Sequence, residues 1–309
     1  MFDFLIHADW SIDARKKWMA TAERTPQGWQ VTAPQLVPSA PELIDTWLFN
    51  GRTVLAGFDF PIGVPVEFGR RTGFADFPEA LGEFGRGEWK DFFNVANSPN
   101  DISLRRPFYP QSSQRGHKRV FLLRALGVAT MDKLLRECER KTSGRRAACS
   151  IFWTLGGNQV GKAAIDGWQS VIRPALCRKA RLWPFHGRLD DLSKSTGCVL
   201  CETYPQEAYA HVGVKFPSGM SKRNQDNRRI ASVPVLDWAK RYGVTFAADA
   251  RDSLLNGFGS SKSGEDPFDA LIGLLSMIEV VDERRDEGSA SIRDGAAWEG
   301  WILGQQTVG

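Results

Sequence analysis

Three carboxylic acids directly follow apolar runs of the kind that form buried strands. Asp9 follows the run FLIHA, Asp59 follows VLAGF, and Glu202 follows CVLC. In open sheets that contain parallel strands, ligands bind beyond the carboxyl ends of the strands. If these strands are neighbours in one sheet, we expect the three acids to converge on one spot.

A further contribution is predicted from the segment EDPFDA near the end of the chain. Asp266 and Asp269 are three positions apart, so they share one face of a helix. Two like charges about 4 Å apart repel by about 4 kcal/mol at an effective dielectric constant of about 20. Protons or divalent cations must relieve that repulsion, and oxygen ligands suit Mg²⁺ or Mn²⁺. The predicted metal ligands are therefore Asp9, Asp59, Glu202, Asp266 and Asp269.

The predicted metal site indicates the class of reaction that the protein catalyses. A pair of divalent ions can activate water and stabilise the leaving oxygen when a phosphodiester is hydrolysed. The predicted function is metal-dependent phosphodiester hydrolysis of nucleic acid, with Mg²⁺ or Mn²⁺ as cofactor and Asp9, Asp59, Glu202 and Asp269 as the catalytic residues.

Ordinary structural roles also explain several of these acids. Asp266 precedes Pro267, the combination expected at an N-cap followed by a first-turn proline. Asp9 and Asp59 can cap the turns that follow their strands. Glu202 is the hardest to explain structurally, because a glutamate directly after CVLC is unfavourable in a strand.

The surrounding elements predict an α/β fold with a mixed sheet flanked by helices. The predicted strands cover residues 2–10, 17–23, 29–36, 53–60 and 197–203. The predicted helices cover residues 41–50, 120–126, 131–140, 163–177, 222–242, 248–255 and 267–281. A further short strand is predicted over 147–155. We assign residues 1–65 and 189–309 to one core, and residues 66–188 to a large, mainly helical insertion.

The order of these acids along the chain resembles the RNase H-like superfamily, and the last helix resembles its Holliday-junction resolvase branch. More closely, the chain resembles a domain-of-unknown-function family of predicted RNase H-like nucleases. The matching segments are Asp9-Trp10-Ser11, Gly57-Phe58-Asp59-Phe60-Pro61-Ile62-Gly63-Val64-Pro65, Glu202-Thr203-Tyr204-Pro205, Lys222 with Arg228, and Asp266-Pro267-Phe268-Asp269-Ala270. The resemblance covers roughly residues 1–65 and 197–281. It implies an RNase H-like fold, with Asp9, Asp59, Glu202 and Asp269 as the first candidate metal ligands and Asp266 as the next candidate.

Basic side chains provide candidate phosphate contacts. Lys222 and Arg228 can neutralise a phosphate at the metal site. Lys162 ends a phosphate-loop-like segment, GGNQVGKA, which lacks the Ser or Thr that holds Mg²⁺. His117 lies in the basic run QRGHKR. Basic groups interleaved with aromatics fit a groove for a nucleic-acid strand, but they equally fit a solvated surface, because the net charge is only +4.

Two other functions compete with a nuclease. An ATP-binding phosphotransferase of related architecture would use the same strand-end aspartates. Its Gly-rich phosphate hairpin is missing, since Asp9-Trp10-Ser11 contains no glycine. A non-catalytic binding module would use the acids only as caps.

Composition limits the class of protein. The chain has 309 residues, 42% hydrophobic and 25% charged, which excludes a disordered chain and a disulfide scaffold. The longest apolar stretch, 271–281, is shorter than the ~20 residues of a membrane span, and the first residues do not resemble a signal peptide. The odd number of cysteines predicts a reducing cytoplasm. Cys198 and Cys201 should point to opposite faces of a strand and be core residues.

Overall fold

Four strands open the chain, and mostly short helices separate the strands that follow. The computed structural model describes residues 1–111, 118–141, 147–155, 160–288 and 295–306. The strands are β1 (Phe4–Asp9), β2 (Trp18–Thr25), β3 (Gly28–Val31), β4 (Gln35–Leu36), β5 (Thr53–Phe58), β6 (Arg181–Leu182), β7 (Gly197–Glu202) and β8 (Val244–Phe246). The α-helices are α1 (Ala40–Glu42), α2 (Val66–Gly69), α3 (Phe77–Glu83), α4 (Val120–Leu126), α5 (Val160–Gly167), α6 (Arg173–Cys177), α7 (Leu189–Leu192), α8 (Pro205–His211), α9 (Gln225–Arg241), α10 (Ala248–Leu255) and α11 (Glu265–Val281).

The strands form one mixed sheet in the order β6-β7-β5-β1-β2-β3-β8, and β4 pairs with β2. β1, β2 and β3 make an antiparallel meander. β5 and β7 run parallel to β1 on its other side. The predicted α/β fold with a mixed sheet flanked by helices is therefore confirmed. Residues 147–155 differ from the prediction, because this segment contributes only an isolated bridge between Tyr109 and Trp153.

Side-chain alternation along the strands divides the core into two layers. The layer on one face includes Phe152 and Trp168 from the middle of the chain. The layer on the opposite face is built mainly on α11. Cys198 and Cys201 are both buried, one in each layer, which confirms that they point to opposite faces. The parallel strands are thus covered on both sides, as buried parallel pairs require.

The middle of the chain extends the first core layer and does not build a separate core. β6 lies before residue 188, yet it pairs with β7, so the sheet continues into the segment assigned to the insertion. Residues 131–140, predicted as a helix, form two short 3₁₀ turns, with Leu135 and Arg136 extended between them. Within the described ranges, no helix has both the length and the hydropathy needed to cross a membrane.

Gly273 permits a close approach between α11 and β1. A Cβ atom at this position would lie 2.1–2.5 Å from atoms of the His7 ring, which is fully buried. We expect Gly273→Ala to lower the free energy of unfolding by about 1–3 kcal/mol, because overpacking forces the helix to shift. Urea unfolding measures this change.

The matched control is Gly82→Ala in α3, where no atom lies within 4 Å of the added Cβ. This variant should be more stable than the wild type by about 0.5–1 kcal/mol, because alanine is the better helix former. If Gly273→Ala were also stabilising, the close packing of α11 on β1 would be contradicted.

Candidate metal centre

The ends of β1 and β5 bring Asp9 and Asp59 side by side. The strands are parallel, with Ala8 opposite Phe58, and the backbone N–H of Asp59 donates to the carbonyl of Ala8 at 3.0 Å. Asp9 and Asp59 are the next residues, so they are also opposite each other. Side chains of residues opposite each other lie on the same face of the sheet. Their carboxyl groups are within hydrogen-bonding reach of each other.

Asp269 reaches the same spot from α11. Its buried carboxylate accepts hydrogen bonds from the hydroxyl of Tyr209 in α8 and from the ammonium of Lys222. The Lys222 Nζ also lies 3.3 Å from a carboxylate oxygen of Glu265. The Lys222 ammonium is therefore a built-in counter-ion of this acidic pocket.

Asp266 lies at the start of α11, and it is not the N-cap of that helix. The helix begins at Glu265, with Gly264 as its N-cap. Asp266 is thus a first-turn residue on the same face as Asp269. Negative charge in this turn interacts favourably with the positive end of the helix dipole.

The clustered carboxyl groups shift one another's pKa. Burial, and then Asp269, raise the pKa of Asp59 to about 7 and that of Asp266 to about 6. Burial, followed by Asp269 and Asp59, raises the pKa of Asp9 well above its ordinary value. Burial alone would lower the pKa of Lys222, but the carboxylates, Asp269 first, outweigh it and raise that pKa. Without a divalent cation, the pocket therefore retains protons near neutral pH.

Glu202 lies near this cluster but on the other face of the sheet. Glu202 is opposite Phe58 in the β5–β7 pair, and Phe58 is one position before Asp59. Because successive side chains of a strand point to opposite faces of the sheet, the side chain of Glu202 points away from the face of the two aspartates. There its two oxygens accept hydrogen bonds from the Arg136 guanidinium at 2.6 and 2.7 Å. The backbone N–H of Ile62, which follows β5, donates to the Glu202 carboxylate at 2.7 Å. Glu202 was predicted to bind the same metal, and we leave it out of the ligand set.

Arg136 was not singled out by the sequence analysis. Its buried guanidinium also donates to Glu139 at 3.0 Å and to the backbone carbonyls of Ile62 and Glu299 at 3.3 and 3.0 Å. It therefore neutralises buried carboxylates and ties the middle of the chain to the sheet. Arg136 is one of many arginines in that region, and no local pattern distinguishes it.

Arg228 has a different position from the one predicted. Its guanidinium donates to the backbone carbonyls of Gly257 and Gly259 at 2.8 and 2.9 Å, and to that of Lys222. These bonds hold the Lys222 loop, and Arg228 is not among the residues that line the cleft. Arg228 is thus a positioning residue for Lys222, which corrects its assignment as a phosphate contact.

Of the two other predicted phosphate contacts, the structure describes Lys162 and does not describe His117. Lys162 lines the same cleft as the aspartates, and its ammonium donates to the carbonyl of Gln111 at 3.2 Å. His117 lies outside the described residues, as do residues 156–159 of the phosphate-loop-like segment.

An open cleft of about 770 Å³ gives access to the carboxylates. Its acidic lining consists of Asp9, Asp59, Glu265, Asp266 and Asp269, and its basic lining of Lys16, Lys162, Lys222 and Arg223. Among the residues that the structure describes, no group of three or more histidine, cysteine, aspartate or glutamate side chains has the spacing of a ready-made metal site. The donor chemistry nevertheless fits Mg²⁺ or Mn²⁺, because protons and the Lys222 ammonium now relieve the repulsion that a divalent cation would relieve.

No family model matches the chain, and no curated protein or solved structure matches it either. A functional interpretation therefore depends on the geometry of the cleft, and the resemblance to RNase H-like nucleases stays a prediction.

Removing Arg136 should be costly, because it leaves the buried Glu202 charge without its partner. We expect Arg136→Met to lower the free energy of unfolding by about 3–5 kcal/mol. The control is Arg105→Met, which removes an exposed ion pair with Glu88 and should change the free energy by less than about 1 kcal/mol. Guanidinium chloride unfolding compares the two variants, and equal losses would contradict the role of Arg136 as the buried counter-ion.

The raised pKa of Asp59 predicts a pH dependence of stability. Its pKa is about 7 in the folded chain against 3.8 for the unperturbed group. The stabilisation that the proton of Asp59 provides is therefore complete below the unperturbed pKa. It is lost as the pH rises through the raised pKa of the folded chain. In EDTA, we expect the wild-type melting temperature to fall between about pH 5 and about pH 8.

Asp59→Asn cannot ionise, so its melting temperature should fall less over this range. At the alkaline end, it should be more stable than the wild type by about 0.5–2 kcal/mol. Asp132→Asn, at an exposed position, should keep the wild-type pH dependence. Parallel curves for Asp59→Asn and the wild type would refute the raised pKa.

Proposed function

We propose that this protein hydrolyses phosphodiester bonds of nucleic acid with the help of Mg²⁺ or Mn²⁺. The observation that carries the proposal is the convergence of Asp9, Asp59 and Asp269 on one cleft, where each has a raised pKa. These three residues would hold the metal, with Asp266 beside them. Carboxylates kept together at such a cost are typical of functional sites.

The chain's own basic groups supply the substrate contacts in this proposal. Lys162, Lys222 and Arg223 line the cleft with the aspartates, where they can neutralise the phosphates on either side of the cleaved bond. A bound divalent cation would activate water and stabilise the leaving oxygen. The protons that the aspartates hold must leave before a cation binds, so metal binding should release protons.

The topology supports an RNase H-like interpretation. The antiparallel meander of β1, β2 and β3 is followed by α1 and then by β5, which runs parallel to β1. Of the four ligands that the resemblance implies, the three aspartates, which end β1, follow β5 and lie in α11, support the proposal by lining one cleft, and Glu202 does not. We further propose a cytoplasmic location, supported by Cys149, Cys177, Cys198 and Cys201, which form no disulfide in the part of the chain that the structure describes, since reduced thiols are typical of reducing compartments.

Thermal unfolding and cleavage assays with Mn²⁺ test the proposal. At a concentration of about 100 times its dissociation constant, the ion should stabilise the wild type by about 2.7 kcal/mol. Asp9→Asn and Asp59→Asn should lose most of this stabilisation. They should also cleave oligonucleotides at least ~100-fold more slowly, whereas the exposed variant Asp132→Asn should behave like the wild type.

The alternatives give different results in the same assays. Stabilisation that requires ATP together with the ion, without cleavage of single- or double-stranded DNA or RNA, would favour a phosphotransferase-like protein. A melting temperature that no divalent cation changes would favour a binding module and contradict the proposal.

A further inference from the structure

A buried histidine connects β1 to α11 beside the candidate metal centre. His7 lies two residues before Asp9 in β1, and side chains two positions apart lie on the same face of a strand. The His7 imidazole is fully buried, and its Nδ1 lies 2.9 Å from the backbone carbonyl oxygen of Ala270. A carbonyl can only accept, so Nδ1–H is the donor. Because Ala270 directly follows Asp269 in α11, one hydrogen bond joins the two segments that carry these aspartates.

The other contacts around the ring are not directional. The residues opposite His7 in the two neighbouring strands are Ala20 and Gly57, which carry no polar side-chain atoms. Gly273 of α11 lies against the ring, since a Cβ there would be 2.1–2.5 Å from ring atoms. Apolar contact holds a helix close to a sheet without fixing its position along its own axis. A hydrogen bond fixes that position, because its length and angle are restricted.

The required precision shows why this position matters. An α-helix advances by about 1.5 Å per residue, whereas a metal site tolerates displacements of only about 0.5 Å in its ligands. A slide of α11 by about a third of one residue would therefore carry Asp269 out of the geometry that it needs opposite Asp9. Mg²⁺ is especially sensitive to such a displacement, because it requires nearly ideal octahedral coordination.

We propose that His7 is a positioning residue for the metal centre. Its N–H holds α11 along β1 at the point where Asp269 faces Asp9 and Asp59, so that the three carboxylates can share a cation. This inference rests on the proposed function, because it concerns the geometry of the same ligands. His7 is not among the residues that line the cleft, so it acts through α11 and not on the substrate.

Mn²⁺ binding tests this inference without any cleavage, because electron paramagnetic resonance measures the free ion and so gives the dissociation constant. His7→Leu fills a similar volume but removes the donor to Ala270. We expect His7→Leu to bind Mn²⁺ about 10- to 100-fold more weakly than the wild type, the usual effect of removing a group that orients a metal ligand.

His7→Asn separates positioning from stability. The side-chain N–H of asparagine lies close to the position of Nδ1, so it can still donate to Ala270. This variant leaves empty space beside Gly273 and a buried carbonyl oxygen without a partner, and it should therefore be less stable than His7→Leu in urea unfolding. It should nevertheless bind Mn²⁺ more tightly than His7→Leu. A purely structural role for His7 would give the same order for stability and for affinity.

The control for a general loss of stability is Leu122→Ala. Leu122 is buried in the core layer on the face of the sheet opposite to α11, so this variant should be less stable than the wild type and keep its Mn²⁺ affinity. If His7→Leu does not fold, His7→Gln is the second variant. Glutamine carries the same amide one bond further from the backbone, and His7→Gln should lose the affinity that His7→Asn keeps.

Two results would overturn the inference: wild-type Mn²⁺ affinity in a folded His7→Leu or His7→Gln variant, or an affinity of His7→Asn no higher than theirs. ¹⁵N NMR of the wild type provides a check that needs no variant, because a neutral His7 ring protonated at Nε2 would also contradict it. Failure of the proposed function has a different signature. The expected order of affinities without cleavage of any nucleic acid would refute hydrolysis and retain the role of His7. A wild type that binds no Mn²⁺ would refute both.

Discussion

The mutual repulsion of buried carboxylates is the constraint on which this structure depends. Asp9, Asp59 and Asp269 come from two parallel strands and the helix that packs on them. No single element could bring them together, so the sheet and α11 must hold them against their repulsion. Neutral residues at these positions would make a more stable protein. The cost of placing carboxylates here is what supports the proposed function, which requires concentrated negative charge.

Two cations neutralise the acids at this end of the sheet, and their exposure separates their roles. The side chain of Arg136 is 1% exposed and forms ion pairs with both Glu202 and Glu139, so it is a fixed part of the core. The side chain of Lys222 is 29% exposed and borders the open cleft. Under the proposed function, a divalent ion would displace the Lys222 ammonium, which would then contact a phosphate. Arg136 has no such freedom, because its guanidinium is buried and donates to both Glu202 and Glu139.

The sequence was sufficient to predict the main strands, the last helix and the convergence of the strand-end aspartates, because hydrophobic runs and strand ends are local signals. The sequence analysis placed Glu202 with the aspartates because the runs themselves do not give the one-residue offset between neighbouring strands. Such an offset moves a side chain to the opposite face of the sheet. The alternation that correctly placed Cys198 and Cys201 on opposite faces also puts Glu202 on the face of Cys198, away from Asp59. Arg136 and the backbone contacts of Arg228 could not be predicted. Both depend on contacts between distant segments, and charge alone does not give the direction of a side chain.

The most direct test of this account is a crystal structure of the protein soaked in Mn²⁺, with the ion located by its anomalous scattering. We expect a peak bounded by the carboxylates of Asp9, Asp59 and Asp269, with the Lys222 ammonium moved off Asp269. The absence of a peak there at saturating Mn²⁺, with Lys222 still bonded to Asp269, would contradict the central claim that these aspartates form a metal centre.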